Sequence, residues 1–171
     1  MTIPTLTTAR LTLRPYDRAD FDAYAAFLAD ARATYMGGPY SRAEAWTWFT
    51  NDIASWPLYG FGSLAIEENG RLAGFAGLIF PPQFHEPECG WGLYDGFTGR
   101  GLATEAARAI LAHTFATTTL TTVVSYIDRH NSASRAVAER LGGRLDPDAP
   151  NPLDGRDVVY RHTPDTLRAA A

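Results

Sequence analysis

The sequence has little of several things, and each shortage excludes a class of protein. It holds one cysteine, Cys89, in 171 residues. A lone thiol excludes an internal disulfide and suits a reducing compartment. No apolar run approaches the roughly 18 to 20 residues that a membrane-spanning helix needs. The start, Met1-Thr2-Ile3-Pro4, lacks a charged stretch followed by an apolar one, so no secretory signal is expected. There is no basic cluster, and the formal net charge is -4. That balance argues against nucleic acid or an anionic membrane as partner. No dense acidic patch singles out a polycation. His85, Glu86, Glu88 and Cys89 stand close together, but their spacing fits no zinc pattern, and no metal is expected. With 46% hydrophobic and 20% charged residues, the composition is globular and can bury a substantial core. One cytoplasmic domain over residues 1–171 is expected, without repeats or a linker.

Hydrophobic periodicity and capping residues divide the chain. Leu11 to Arg14 alternates as a short strand does, and Asp17 is placed to cap a helix through Leu28. Ser41 with Glu44 forms a capping box for a second helix from Arg42 to Ser55, with Pro57 just past its end. Trp46, Phe49 and Ile53 are the expected buried face of that helix. Gly62 to Glu67 and Leu72 to Phe80 flank Asn69-Gly70, a strong hairpin signal. Glu88 to Leu93 reads as a strand in which Gly90 and Gly92 suggest a bulge. A long helix follows from Leu102 to about Thr117, then a β-branched strand from Thr122 to Ile127. A helix from Ser132 to Leu141 ends at Gly142-Gly143. A short strand at Arg144-Leu145, a strand from Val158 to Arg161 and a helix opened by Pro164 complete the chain. The element order is therefore β-α-α-β-β-β-α-β-α-β, with the further short strand at Arg144-Leu145.

The segment Gly96-Phe97-Thr98-Gly99-Arg100-Gly101-Leu102-Ala103-Thr104-Glu105-Ala106 lies between a strand and a helix. Glycines there let the backbone turn tightly and aim several N–H groups at one point. The helix N-terminus adds partial positive charge, so a phosphate or pyrophosphate would be held well. The pattern lacks the Gly-Lys-Ser/Thr ending of a triphosphate loop and the third glycine of a dinucleotide fingerprint. By itself it also fits a glycine-rich turn with no ligand.

Three segments together are more specific. Glu88-Cys89-Gly90-Trp91-Gly92-Leu93, followed by Gly99-Arg100-Gly101-Leu102-Ala103-Thr104-Glu105-Ala106, resembles the central motif of the GNAT N-acetyltransferases. Met36-Gly37-Gly38-Pro39 with Ser41 and Ala43-Glu44-Ala45-Trp46 is similar to the early loop and helix of their ribosomal-protein (Rim-type) branch. Asn131 to Gly142 resembles the late Asn-x-x-Ser helix of that branch, with its Leu-Gly ending. The likeness spans nearly the whole chain in the same order.

The resemblance implies an α/β (α+β) domain, with a mixed, mostly antiparallel central sheet flanked by helices and a splayed strand pair that holds coenzyme A. The pantetheine arm would pair with the backbone of Trp91, Gly92 and Leu93, and the pyrophosphate would rest on N–H groups of Thr98, Gly99, Arg100, Gly101, Leu102 and Ala103. Thr98 stands where the family often has Gln or Arg. Arg100 is expected to add a charge contact to phosphate, against the plain reading of a solvated loop arginine. Asn131 matches a pantetheine contact and also suits a helix N-cap. Ser134 matches a position near the thioester sulfur and is the candidate acid. Many members use a tyrosine four residues later, where this chain has Ala138. Glu88 matches a family glutamate and is the candidate base, since an ammonium must lose its proton before it can attack. Cys89 neighbours Glu88 and should face the other side of the sheet, as a buried structural thiol.

The implied activity is acetyl-CoA-dependent N-acetylation by direct attack. The leading acceptor is a protein or peptide N-terminal amine. A small-molecule amine and a catalytically silent acyl-CoA-binding module are the alternatives. Tyr35, Tyr40 and Phe84 lie in predicted loops and are candidates for the acceptor pocket. A homodimer is a further expectation from the family.

Overall fold

The computed structural model describes residues 2–152 and 155–170. Local signals set most boundaries. Asp17 accepts from the Ala19 N–H and closes a capping box with Asp20 over a 3-10 turn, Arg18–Asp20, which runs into α1 (Phe21–Ala29). A second 3-10 turn, Ala31–Met36, leads to the loop before α2 (Arg42–Tyr59). At the start of α2 the Ser41 N–H donates to Glu44 at 2.8 Å, and the Glu44 N–H donates back to Ser41 Oγ.

Helix α2 runs four residues beyond its expected end and contains Pro57. Proline within the last turn gives up one helical N–H, yet the helix closes at Gly60, whose N–H donates to Trp56 O at 2.9 Å in a left-handed cap. The buried stripe also differs from the expected one. It is Ala45, Phe49, Asp52 and Trp56, while Trp46 is 41% exposed and Ile53 only half-buried.

The strands are β1 (Leu6–Thr7), β2 (Leu11–Arg14), β3 (Ser63–Glu68), β4 (Arg71–Ile79), β5 (Glu88–Leu93), β6 (Val123–Asp128), β7 (Arg144–Leu145) and β8 (Asp157–His162). The remaining helices are α3 (Leu102–Thr117), α4 (Ser132–Arg140) and α5 (Pro164–Ala169). The sheet order is β1-β2-β3-β4-β5-β6-β8-β7, antiparallel throughout except at β5–β6. Asn69 and Gly70 both have positive φ, as the two-residue turn between β3 and β4 requires. The expected irregularity in β5 is absent. It lies instead between β3 and β4, where the register shifts at Ile66/Glu67, while β5 pairs with β4 in step over its whole length.

Residues directly opposite in a sheet share a face. Glu88, Gly90 and Gly92 therefore share a face with Ile79, Gly77 and Phe75. Phe75 packs on Tyr24 and Phe27, so this is the α1/α2 face. Cys89, Trp91 and Leu93 face the other way, and Trp91 packs beside Ile127, Ala138 and Tyr160.

Gly92 and Gly90 are glycines for different reasons. A Cβ on Gly92 would lie 2.5 Å from the Phe75 ring, which is itself held by Tyr24, Phe27 and Tyr94. A Cβ on Gly90 would meet nothing within 4 Å. Gly92→Ala is expected to lower unfolding free energy by about 1–3 kcal/mol through overpacking. Gly90→Ala should change it by less than about 0.5 kcal/mol. Urea unfolding of both variants checks the contrast, and equal effects would contradict it.

Candidate active site

The parallel pairing of β5 with β6 consists of one pair, Glu88↔Val124. Just beyond it, the Ser125 hydroxyl donates to the Cys89 carbonyl at 2.7 Å and lies 3.1 Å from His162 Nε2. Burial lowers the His162 pKa to about 4, so the ring is neutral near pH 7. Since the serine proton is given to Cys89, Nε2 carries the ring N–H and donates to Ser125 Oγ, an assignment that follows from the network. After this clamp the strands part. The Cys89 carbonyl faces β6, whereas the Tyr94 N–H donates back to Ala73 on β4. Alternation along β5 therefore turns the backbone groups of Trp91 and Leu93 into the gap, where β6 makes no ladder with them.

The gap opens into a groove of about 700 Å³, lined by Trp91, Gly92, Leu93, Thr98, Gly99, Gly101 and Ala103, and on the α4 side by Asn131, Ser134 and Val137. Gly96, Gly99 and Gly101 have φ of 82°, 74° and 78°. Added Cβ atoms at Gly96 and Gly99 would meet nothing, so backbone conformation, not crowding, selects glycine there. Gly101 is the N-cap of α3 and offers no capping side chain. The first intrahelical bond is donated by Glu105 to Gly101 O. The N–H groups of Leu102, Ala103 and Thr104 are thus left for another acceptor at the positive end of a 16-residue helix.

Several expected residues take more limited places. The side chain of Leu102 is fully buried, so only its backbone belongs to the groove. Arg100 does not reach toward phosphate. Its guanidinium binds the buried Glu68 carboxylate twice, at 2.7 and 2.6 Å, and its carbonyl accepts from Arg10 Nη1 at 2.9 Å. A bidentate pair satisfies the guanidinium fork, so Arg100 fastens the glycine loop to β3. Asn131 Oδ1 accepts the Ser134 N–H at 3.1 Å, which leaves its Nδ2 for the groove. Ala138 is fully buried against Ile127 and Tyr160.

A second cavity of about 350 Å³ adjoins the groove on the α1/α2 face of the sheet. Tyr35, Met36, Trp91, Asn131 and Ser134 line both spaces. Tyr40, which hydrogen-bonds the Met36 carbonyl, Trp48 and Phe84 form further walls. Tyr35 and Tyr40, five residues apart, are brought together here with the distant Phe84. Glu88 lines the cavity and is half-buried. Burial pushes its carboxyl up to about 8, against a hydrogen bond from the Tyr126 backbone, with the charges of Asp157 and Asp52 adding to the rise. Cys89 points the other way, and burial followed by the neighbouring Glu88 charge keeps its thiol protonated.

The sequence reading missed Asp52. It lies inside α2, 4% exposed, and lines the same cavity. The Tyr24 and Tyr16 hydroxyls donate to its Oδ2 at 3.0 and 3.4 Å, while burial raises its pKa to about 7. A signal was present: Ala45, Phe49, Asp52 and Trp56 have the spacing of a core stripe, and a carboxylate in such a stripe is rare without a purpose.

Residues 10–144 match the acetyltransferase (GNAT) domain family. The chain belongs to this family. A crystal structure of an acetyltransferase from Agrobacterium tumefaciens is 48% identical, with 95% of each chain covered and a TM-score of 0.91. A GNAT-family acetyltransferase structure from Bordetella pertussis is 29% identical over 94% of this chain and 100% of its own, with a TM-score of 0.79. RimL, described as a ribosomal L7/L12 alpha-N-protein acetyltransferase in complex with coenzyme A, shares the fold at 20% identity and a TM-score of 0.76, covering 95% of this chain and 99% of its own. The unpaired edge of β5 and the uncapped start of α3 suit the arm and pyrophosphate of coenzyme A in the acetyltransferase described here. No helix among the described residues is long and apolar enough to cross a membrane.

The raised pKa of Glu88 has a stability consequence. Its carboxyl ordinarily titrates near 4.5 and here near 8. Between those values the native chain keeps a proton that the unfolded chain has lost. Stability from this group is therefore full below about pH 4.5 and is lost as pH rises through 8. Glu88→Gln should gain melting temperature relative to the parent steadily from pH 5 to pH 8. A difference that does not change with pH would contradict the burial of this carboxyl.

Proposed function

We propose that this acetyltransferase transfers acetyl from acetyl-CoA to a primary amine seated in the 350 Å³ cavity, by direct attack in a ternary complex. One observation carries the reading: groove and cavity meet at Trp91, Asn131 and Ser134, with Glu88 on the cavity side. Acetyl-CoA, when bound, supplies a thioester with an electrophilic acyl carbon and a thiolate leaving group.

The chain's own residues do the rest. Trp91 and Leu93 offer backbone groups to the pantetheine arm, Asn131 adds its Nδ2, and the N–H groups from Thr98 to Ala103 hold the pyrophosphate. An amine with pKa about 10.4 is only about 1 part in 2,500 neutral at pH 7. Glu88 takes the ammonium proton before attack and passes it to solvent through the cavity, then takes the second proton, which the nitrogen loses as the C–N bond forms. A carboxylate with pKa about 8 is a much stronger base than an ordinary glutamate. Ser134 gives a proton to the sulfur as the C–S bond breaks, and regains one from solvent through the groove. A backbone N–H at Trp91 or Leu93 faces the charge that develops on the carbonyl oxygen.

A small-molecule amine is the acceptor that the walled, aromatic cavity favours. A peptide N-terminal amine is the second reading, supported by the sequence likeness to the Rim-type branch. Free-thiol release from acetyl-CoA tests the activity. The sequence has no lysine, since all 15 basic residues are arginine, so no side-chain amine of the protein itself competes as acceptor. Amine-dependent release is expected, with kcat falling about 10²–10⁴-fold in Glu88→Gln. Coenzyme A binding without release for any amine would leave a silent binding module.

A further inference from the structure

The fold gathers acidic groups that the sequence keeps apart. Asp52 on α2, Glu88 on β5, Asp128 at the end of β6 and Asp157 at the start of β8 all line the acceptor cavity, and Arg156 is the one basic side chain among the described lining residues. The sequence suggests no dense acidic patch that would single out a polycation, and the folded cavity corrects that expectation. The charge concentrates only in three dimensions.

Two features of the cavity point to a ligand that these acids alone do not define. Asp52 is buried at the α2 wall, where two tyrosine hydroxyls both use its Oδ2. A carboxylate has about four lone-pair sites, so it retains acceptor capacity after these bonds and one from Ser63. Tyr126 lines the same cavity, shares a face with Glu88 through the Glu88↔Val124 pair, and is 8% exposed. Its buried hydroxyl has no hydrogen-bond partner among the described residues. Native proteins seldom leave such a group unmet.

The electrostatics separate one cation from two. A monoamine entering the cavity compensates the carboxylate that takes its proton. Asp52 and Glu88 are close enough for the charge of one to oppose ionisation of the other. A single cation at Glu88 leaves Asp52 with the raised pKa that burial imposes, whereas a second ammonium beside it favours its carboxylate. The aromatic walls, Tyr35, Tyr40 and Trp48 among them, suit ammonium groups through their ring faces.

We propose that the acceptor is a linear diamine or polyamine whose reacting amine lies at Glu88 and whose second ammonium is held by Asp52. This rests on the acetyl-transfer reading above and names its substrate class. Asp52 is then a specificity residue for the amine.

The test compares kcat/KM for 1,4-diaminobutane and spermidine with that for butylamine and a short lysine-free peptide, using thiol release at fixed pH and ionic strength. The expected result is a preference for the diamines of about tenfold or more over butylamine, the size of one added charge contact. Asp52→Asn should bring that ratio close to one. Should this variant not fold, the wild-type ratio decides, together with thermal shifts of the wild-type protein by 1,4-diaminobutane and butylamine without acetyl-CoA. Stronger stabilisation by the diamine is expected. Turnover of butylamine or peptide with no diamine preference would overturn this proposal and leave the acetyl-transfer reading intact. Absence of release for every amine, in folded protein that binds coenzyme A, would overturn both.

Discussion

Past the Glu88↔Val124 pair, β5 and β6 share no ladder, and the Ser125 hydroxyl closes the fork by donating to the Cys89 carbonyl. The site depends on this clamp. A parallel pair that continued would satisfy the backbone of Trp91 and Leu93 internally and leave no slot. A pair that parted without the clamp would leave the Cys89 carbonyl buried and unmet, since Cys89 is 1% exposed. Ser125 supplies the missing donor, and His162 fixes the direction in which that hydroxyl points. Gly143 belongs to the same arrangement, because a Cβ there would lie 2.6 Å from the His162 ring. The glycine pair that ends α4 thus makes room for the ring behind the fork, while α4 itself forms the far wall of the groove.

The two spaces on either side of β5 are chemically opposite. The groove is built from backbone donors and glycine conformations, with free N–H groups at the start of α3 and two basic side chains, Arg32 and Arg140, in its lining. That is an environment for phosphate. The cavity is built from side chains, with aromatic walls and carboxylates whose ionisation burial opposes. That is an environment for ammonium. One strand serves both because alternate residues face opposite ways: Trp91 and Leu93 turn their backbone to the gap, and Glu88 and Gly90 turn to the cavity. Gly90, with open space where a side chain would stand, keeps that face clear beside Glu88.

Most of the elements were legible in the sequence, because caps, turns and periodicity are local. Helix α3 and strand β5 begin and end as the patterns predict, and Asn69-Gly70 makes the turn it signals. The failures have a common cause in tertiary contacts. Helix α2 continues through Pro57 because Trp56 is anchored, its indole N–H donating to Ser63 O at 3.0 Å. Its buried face follows Asp52, whose burial depends on tyrosines from before and within α1. Gly92 suggested a bulge, whereas its missing side chain makes room for the Phe75 ring. Arg100 looked like a phosphate ligand because its partner, Glu68, lies 32 residues away and nothing local announces it. The glycine loop was easier to read, because its function resides in backbone conformation and glycine is the residue that marks it.

Glu88 connects the two halves of the site in one residue. It is the one residue of β5 in register with β6, where the Val124 N–H donates to the adjacent Pro87 carbonyl at 3.1 Å, and its side chain carries the proposed base into the cavity. The distance from the base to the slot is therefore fixed by strand geometry, with no loop between them, and two residues at about 3.3 Å each separate it from Gly90 and the unpaired edge that follows. The same position explains its protonation. Glu88 lines the cavity together with Tyr126 and Phe84, whose rings pack on each other, so its carboxyl meets water in the cavity. An occupied cavity removes that water and replaces it with the acceptor's own positive charge. Desolvation alone would hold Glu88 protonated and inert, whereas an ammonium beside it favours the carboxylate. In the proposed reaction the group thus becomes ionised when the amine that must lose a proton is in place.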